Sequence, residues 1–236
     1  MISIIQAGGK GTRLRPYTFA LPKPLMPIGD LPIIEVLLKW LRRWGVTNTY
    51  ITLGYLGHLI QAVCNSGEQW GIEIKYSWET EPLGTIGALS LIRDQLKETF
   101  LTINGDIICD LNLHDFTSFH KSHGGAITVG VTEKKVKIDF GVLEGQDHWM
   151  TGFREKPEKH YTVSMGIYCM EPRILELIPA NMPFGFDDLM YAMLQAKEPV
   201  YMYRHNGLWL DIGSESALQQ VQRNFLKDYK TRILGC

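Results

Sequence analysis

Ile2-Ser3-Ile4-Ile5-Gln6-Ala7-Gly8-Gly9-Lys10-Gly11-Thr12-Arg13-Leu14-Arg15 decides how the rest of the chain is read. Ile2–Ile5 predicts a short buried strand, and a cluster of glycines follows it at once. Glycines after a buried strand let backbone amides turn toward an anion at the carboxyl edge of a sheet. Lys10, Arg13, Arg15 and Lys23 add full charges around that point. A triphosphate suits such a site, whereas a flexible turn with solvated cations is the plain alternative for the loop taken by itself. Two phosphate-loop spacings fail here. A G-x-x-x-x-G-K-[ST] loop counted back from Gly9-Lys10 meets Ile4 where its first glycine belongs and Gly11 where its hydroxyl residue belongs. A dinucleotide fingerprint needs a small residue three positions after Gly11 and meets Leu14.

Outward from the loop, Ile34, Leu37, Leu38, Leu41 and Trp44 recur at helical spacing, with Pro32 near the entry and Gly45 past the exit. The alternation continues with a strand at Tyr50–Leu53, a helix at Leu59–Cys64, a strand at Ile72–Tyr76, a helix at Thr85–Leu96 and a strand at Phe100–Ile103. Strands alternating with helices imply right-handed crossovers and an α/β, doubly wound, mostly parallel sheet between helical layers. After Gly124-Gly125 the pattern turns β-rich, with strands at Ala126–Val131, Gly141–Glu144, Met150–Arg154 and Val163–Met170. Helical character returns at Asp187–Gln195 and Glu215–Tyr229. No linker or repeat interrupts the chain, so residues 1–236 read as one domain in two halves, 1–123 and 124–236.

The totals exclude several classes. A chain of 236 residues with a net charge of -1 and a pI near 6.7 has no basic field for a nucleic-acid backbone. The scattered Cys64, Cys109, Cys169 and Cys236 form neither a disulfide frame nor a zinc knuckle, and Cys64 and Cys169 read as buried packing. No run approaches a membrane span, and a soluble cytoplasmic protein is expected. His120 and His123 share a helical turn, but without a third ligand they read as surface histidines rather than a zinc site.

Ala7-Gly8-Gly9-Lys10-Gly11-Thr12-Arg13-Leu14-Arg15-Pro16, followed by Pro22-Lys23-Pro24-Leu25, resembles the signature of the sugar-1-phosphate nucleotidyltransferases. The likeness extends through Glu81-Pro82-Leu83-Gly84-Thr85-Ile86-Gly87-Ala88-Leu89, Asn104-Gly105-Asp106 and Phe153-Arg154-Glu155-Lys156-Pro157. Met165-Gly166-Ile167-Tyr168 and Trp209-Leu210-Asp211-Ile212-Gly213 complete it, in the family's order. It covers nearly the whole chain. The resemblance implies a Rossmann-like sheet with an added sugar-binding lobe, and transfer of a nucleotidyl group from an NTP to a sugar 1-phosphate with release of pyrophosphate.

By that resemblance Arg13 and Lys23 are the catalytic cations, on the β/γ- and α-phosphates respectively. Ala7, Gly8, Gly9, Gly11, Thr12, Glu81, Pro82, Gly84 and Thr85 bind the nucleotide, Gly84 and Gly87 letting the base lie close to the backbone. Asp106, Gly141, Glu155, Lys156 and Gly166 bind the sugar phosphate, and Asp106 with Asp211 holds Mg²⁺, Asp110 being a nearby alternative. The segments around Gly84 and Phe184–Leu189 look most like the mannose- and heptose-phosphate guanylyltransferases, which favours GTP over dTTP, UTP or CTP. Gln6 departs from the apolar residue the family more often places there, and its amide reads either as a base contact or as a strand cap. Met165 likewise departs from a small polar residue. Ser214 caps a last helix whose Ala217, Leu218, Val221, Phe225 and Leu226 form a core stripe, its end available to a homodimer, with no further domain expected after it. A non-catalytic nucleotide-sugar sensor is the rival reading. A glycosyltransferase would show Asp-x-Asp, and Asp106 is followed by Ile107-Ile108.

Overall fold

In the computed structural model, which describes residues 1–235, the β-branched runs form strands and the runs of helical period form helices. β1 (Ile2–Gln6) leads to a short hairpin, β2 (Pro27–Ile28) and β3 (Leu31–Pro32), then α1 (Ile33–Arg43) and β4 (Asn48–Leu53). There follow α2 (Gly57–Cys64), β5 (Glu73–Trp78), α3 (Gly84–Gly87), β6 (Phe100–Asn104), β7 (Ile107–Cys109) and α4 (Leu113–His123). The second half contributes β8 (Ile127–Lys137), β9 (Val142–Gln146), β10 (Trp149–Arg154), β11 (Glu158–Met170) and α5 (Phe186–Ala196). β12 (Val200–Arg204), β13 (Trp209–Asp211), α6 (Glu215–Asn224) and α7 (Lys230–Leu234) complete it.

Seven strands share one sheet in the order β12-β8-β11-β6-β1-β4-β5. All neighbours pair in parallel except β11, which runs antiparallel to both β6 and β8. The sheet is therefore mostly parallel, with helices on both faces. Side chains alternate across it: Ile5, Leu101 and Ile103 pack with α1 on one side, while Ile4 and Phe100 pack with Ile86, Leu189 and Met193 on the other. The inner face of α1 buries Ile33, Ile34, Leu37, Leu38, Trp40 and Leu41, and each large side chain so buried stabilises the fold by about 1.5–3 kcal/mol.

The second half differs from a separate lobe. β8 and β11 run on past the sheet as a two-stranded arm, pairing from Thr132 with Val163 to Lys137 with Glu158, and the β9–β10 hairpin sits at its end. The helix expected at Thr85–Leu96 is one α-turn followed by 3₁₀ turns at Ala88–Gln95, broken at Ile92 (φ -119°). The cause is local: the Ile86 and Gly87 amides donate to Phe184 O at 3.0 and 2.9 Å, which docks the turn on the neighbouring loop. The last helix is capped by Ser214, whose Oγ accepts from Ala217 N at 3.2 Å, and its Leu218, Val221 and Phe225 are buried. It widens into a π-turn at Phe225–Tyr229 before α7. Gly29 lies beneath that turn with φ 61°, where a Cβ would meet Phe225 Cδ1 at 2.9 Å.

His120 is not on the surface. It is 1 % exposed, with Nδ1 2.8 Å from Thr128 Oγ1 and Nε2 3.0 Å from Glu171 Oε1, so it ties α4 to the sheet. His123 rests against Phe119, with ring centroids 4.3 Å apart. Among the described residues no three His, Cys, Asp or Glu side chains cluster as a metal site. Cys64, Cys109 and Cys169 are buried free thiols, and burial pushes Cys64 up to about 12; Cys236 lies outside the described residues. Among the described residues no helix is long and apolar enough to cross a membrane.

Candidate active site

β1, β4 and β6 lie side by side and end together, and their carboxyl ends open onto a cavity of about 370 Å³. This is where an open α/β sheet receives its ligand. Ala7, Gly8, Gly9, Gly11, Thr12, Arg13 and Lys23 line it from the opening loop, with Pro82, Gly84 and Thr85 opposite and Asp106 and Gly213 at one side. Gly9 has nothing within 4 Å of the place a Cβ would take, so the loop backbone is open to an incoming group. Gly11 (φ 59°) starts the 3₁₀ turn Thr12–Leu14 that carries Arg13, and its carbonyl accepts from Thr18 Oγ1 at 3.0 Å. Lys10 and Arg15 do not line the cavity; the Arg15 guanidinium lies 4.9 Å from the Phe19 ring centre.

The two acidic segments meet through a short antiparallel ribbon. β7 pairs with β13 so that Asp211 stands opposite Ile107, and Ile212 N donates to Asp106 O at 3.0 Å. Lys23 sits between the carboxylates: Nζ bonds Asp106 Oδ2 and lies 4.0 Å from Asp211 Oδ1. The lysine side chain is only 10 % exposed, so water screens its attraction to the acids weakly. The Arg13 guanidinium lies beside Gly213 at the same wall of the cavity. A Cβ on Gly213 would lie 3.0 Å from both Arg13 Nη1 and Asp211 Oδ2, so the ends of both side chains pack against this glycine. Arg13 forms no ion pair among the described residues.

Asp110 is used otherwise. Its Oδ1 accepts from Leu208 N at 2.7 Å and lies 2.8 Å from His205 Nε2, while Oδ2 bonds the Arg232 guanidinium of α7. It thereby fixes the turn that delivers Trp209-Leu210-Asp211. Trp209 Nε1 donates to Met165 O at 2.9 Å, which pins the bulge of β11 to the same ribbon. Gly166 in that bulge has φ 73°, and a Cβ on it would lie 2.5 Å from Asn104 Nδ2. The sugar-side segment and the end of β6 are thus in contact.

Several residues fall elsewhere than the sequence suggests. Glu79 lines the cavity and Glu81 does not. The β-ladder runs on to Glu79, whose N donates to Leu53 O at 2.8 Å, and its carboxylate then accepts from Leu83 N at 2.9 Å. That closes a turn and leaves Glu81 exposed at its tip. Burial raises the Glu79 carboxyl above its ordinary range, with the Leu83 amide pulling the other way. Gly84 and Gly87 are needed for packing as well: Cβ atoms there would lie 2.9 Å from Phe184 O and 2.7 Å from Met182 O. Gly141, Glu155 and Lys156 gather at the foot of the β9–β10 hairpin, Lys156 Nζ being 3.9 Å from Glu155 Oε1, but they do not line the cavity. Sequence reasoning also missed Thr52, Asn104 as a lining residue, and Glu79. The signal for the first two is their place at the ends of strands that flank β1.

Two hard carboxylate oxygens facing one cationic nitrogen form a donor set that suits a divalent ion bound partly by phosphate oxygens. Asp106 and Asp211 could hold it.

The sequence profile of the family described as nucleotidyl transferase matches residues 2–228. Mannose-1-phosphate guanyltransferase of Saccharomyces cerevisiae is 32% identical over 222 residues, covering 90% of this chain and 61% of the relative. Mannose-1-phosphate guanylyltransferase catalytic subunit beta of Dictyostelium discoideum is 33% identical over 239 residues, covering 98% and 66%. The chain thus spans roughly three fifths to two thirds of the length of these relatives. Among solved structures, a putative glucose-1-phosphate thymidylyltransferase from Bacillus anthracis superposes with a TM-score of 0.77 at 24% identity, covering 97% of this chain and 96% of that one. HddC from Yersinia pseudotuberculosis complexed with GMP-PN does so with a TM-score of 0.74, also at 24% identity, covering 95% of this chain and 99% of that one. With the strand order, the glycine loop and the paired aspartates already in place, the profile match across most of the sequence makes the chain a member of the nucleotidyl transferase family.

Proposed function

We propose that the chain transfers a guanylyl group from GTP to a sugar 1-phosphate, mannose 1-phosphate first among them, and releases pyrophosphate. The observation that carries this reading is the meeting of Asp106, Asp211, Lys23 and Arg13 at one side of the strand-end cavity. The guanine and mannose assignments draw their support from the curated relatives, both of which are named as mannose-1-phosphate enzymes.

In the reaction a phosphate oxygen of the sugar 1-phosphate forms a bond to the α-phosphorus as the bond from that phosphorus to the bridging oxygen breaks. The electron pair leaves with pyrophosphate. No general base is needed, because a phosphate monoester with a second pKa of about 6 is already a dianion at neutral pH. The barrier is the approach of two anions and the charge that builds on the leaving group, so positioning and cations supply the catalysis. Arg13, without a carboxylate partner among the described residues, is available to the departing phosphates. Lys23 neutralises the two aspartates and faces the α-phosphate. A Mg²⁺ ion on Asp106 and Asp211 would supply Lewis-acid neutralisation of the phosphate oxygens. Glu155 and Lys156 hold the sugar phosphate from the hairpin in this reading.

The test is a pyrophosphate-release screen of GTP, dTTP, UTP, CTP and ATP against a panel of sugar 1-phosphates with Mg²⁺. Release with GTP and mannose 1-phosphate supports the reading. Release with another pair corrects the substrates, and nucleotide binding with no release from any pair favours the sensor.

A further inference from the structure

Gln6 is the last residue of β1 and lines the cavity, yet both Nε2 and Oε1 of its amide are closed to solvent and have no hydrogen-bond partner among the described residues. An amide left in that state is costly, on the order of 1–3 kcal/mol. It is not explained as a strand cap. The backbone groups around the end of β1 are already paired, Ala7 N with Thr52 O at 3.0 Å and Gly105 N with Gln6 O at 2.9 Å. The register places Thr52 on β4 and Asn104 on β6 directly beside Gln6, so three polar side chains share one face at the end of the three central strands. That face is the one turned toward Ile86 and Leu89, next to the Pro82–Thr85 wall of the cavity. Asn104 Oδ1 is likewise buried without a partner. The row has unused hydrogen-bonding capacity where a flat heterocycle could lie between the sheet end and the Pro82–Thr85 segment.

We propose that Gln6 is a specificity-determining residue for the nucleotide base, its amide pairing with the guanine edge. This deepens the guanylyl-transfer reading and rests on it for the identity of the base. An amide presents one donor beside one acceptor. Guanine answers with O6 as acceptor and N1–H as donor, whereas adenine reverses the order with its N6 amine and N1. An amide turned with its donor toward O6 and its acceptor toward N1–H pairs with guanine, and against adenine it has to turn over or leave its own groups unpaired, which is how a polar site disfavours an analogue. Uracil and thymine carry the guanine pattern on a smaller ring that fills less of the slot.

The experiment uses Gln6→Leu, which keeps the volume and removes the amide, and Gln6→Glu. For wild type and both variants, kcat/KM for GTP and ATP is measured with mannose 1-phosphate, and binding of each nucleotide alone is measured by calorimetry. The expected result is a fall of about tenfold or more in the GTP to ATP ratio for Gln6→Leu, with no loss of thermal stability in the absence of nucleotide. Gln6→Glu, which accepts from N1–H and the N2 amine together, keeps GTP ahead of ATP. A ratio unchanged in Gln6→Leu, or a variant that loses stability and both nucleotides alike, overturns the assignment. A wild-type chain that binds nucleotides but releases no pyrophosphate removes the transferase reading instead, and the calorimetric ratios still decide the role of Gln6.

Discussion

Arg13 makes the sharpest claim at the scale of single residues. It is exposed on a short 3₁₀ turn, unpaired among the described residues, and its guanidinium packs against Gly213, as does the Asp211 carboxylate. Removing a cation aimed at transition-state charge typically costs about 10² to 10³ in rate. Arg13→Ala is expected to lose that much in kcat while its denaturant midpoint stays within experimental error of wild type. Glu79 gives a pH signature. Its carboxyl titrates above the ordinary value of 4.5 because burial disfavours the charge, so the folded chain holds that proton more tightly than the unfolded chain. Its contribution to stability is then present below about 4.5 and is lost as pH rises through the raised folded value. Unfolding of wild type and Glu79→Gln at about pH 4 and pH 7 is the check: the variant gains relative to wild type at the higher pH.

At the scale of elements, the β7–β13 ribbon is what turns two remote aspartates into one site. Asp110 holds its far end through His205, Leu208 and Arg232, and removing an acceptor that serves several donors costs about 1–3 kcal/mol. Asp110→Ala is expected to lower unfolding stability by that amount and to reduce kcat through misplacement of Asp211. Gly87→Ala tests a packing role in isolation. A Cβ 2.7 Å from Met182 O overpacks the α3 turn, with an expected loss of about 1–3 kcal/mol in stability. What could be read from the sequence follows the same division. The loop, α1 and the parallel strands are local patterns of apolar period and glycine placement, and they stand where those patterns put them. The ribbon is not local: its strands are three residues each, and the partners lie about a hundred positions apart. Glu79 and Glu81 are indistinguishable as letters. Only the turn closed by Leu83 N decides which one faces the cavity.

For the whole molecule, a ligand that binds the folded chain alone must stabilise it, by about 2.7 kcal/mol at a hundred times its Kd. GTP with Mg²⁺ is expected to raise the thermal midpoint, and Arg13→Ala to abolish most of the rise. The arm formed by β8 and β11 brings Glu155 and Lys156 to the molecule without making them part of the strand-end cavity. A weaker KM for the sugar phosphate in Lys156→Ala, with kcat for bound substrate little changed, would assign that arm to sugar binding. In the proposed reaction Asp106 and Asp211 are expected to act as one unit around a single cation. The direct measurement is a double-mutant cycle on pyrophosphate release in Mg²⁺ with Asp106→Asn, Asp211→Asn and both together. Residues that work as a unit give strongly non-additive losses, so the double variant is predicted to be no slower than the slower single one. Losses that multiply, or an Asp211→Asn chain that turns over at the wild-type rate, would contradict it.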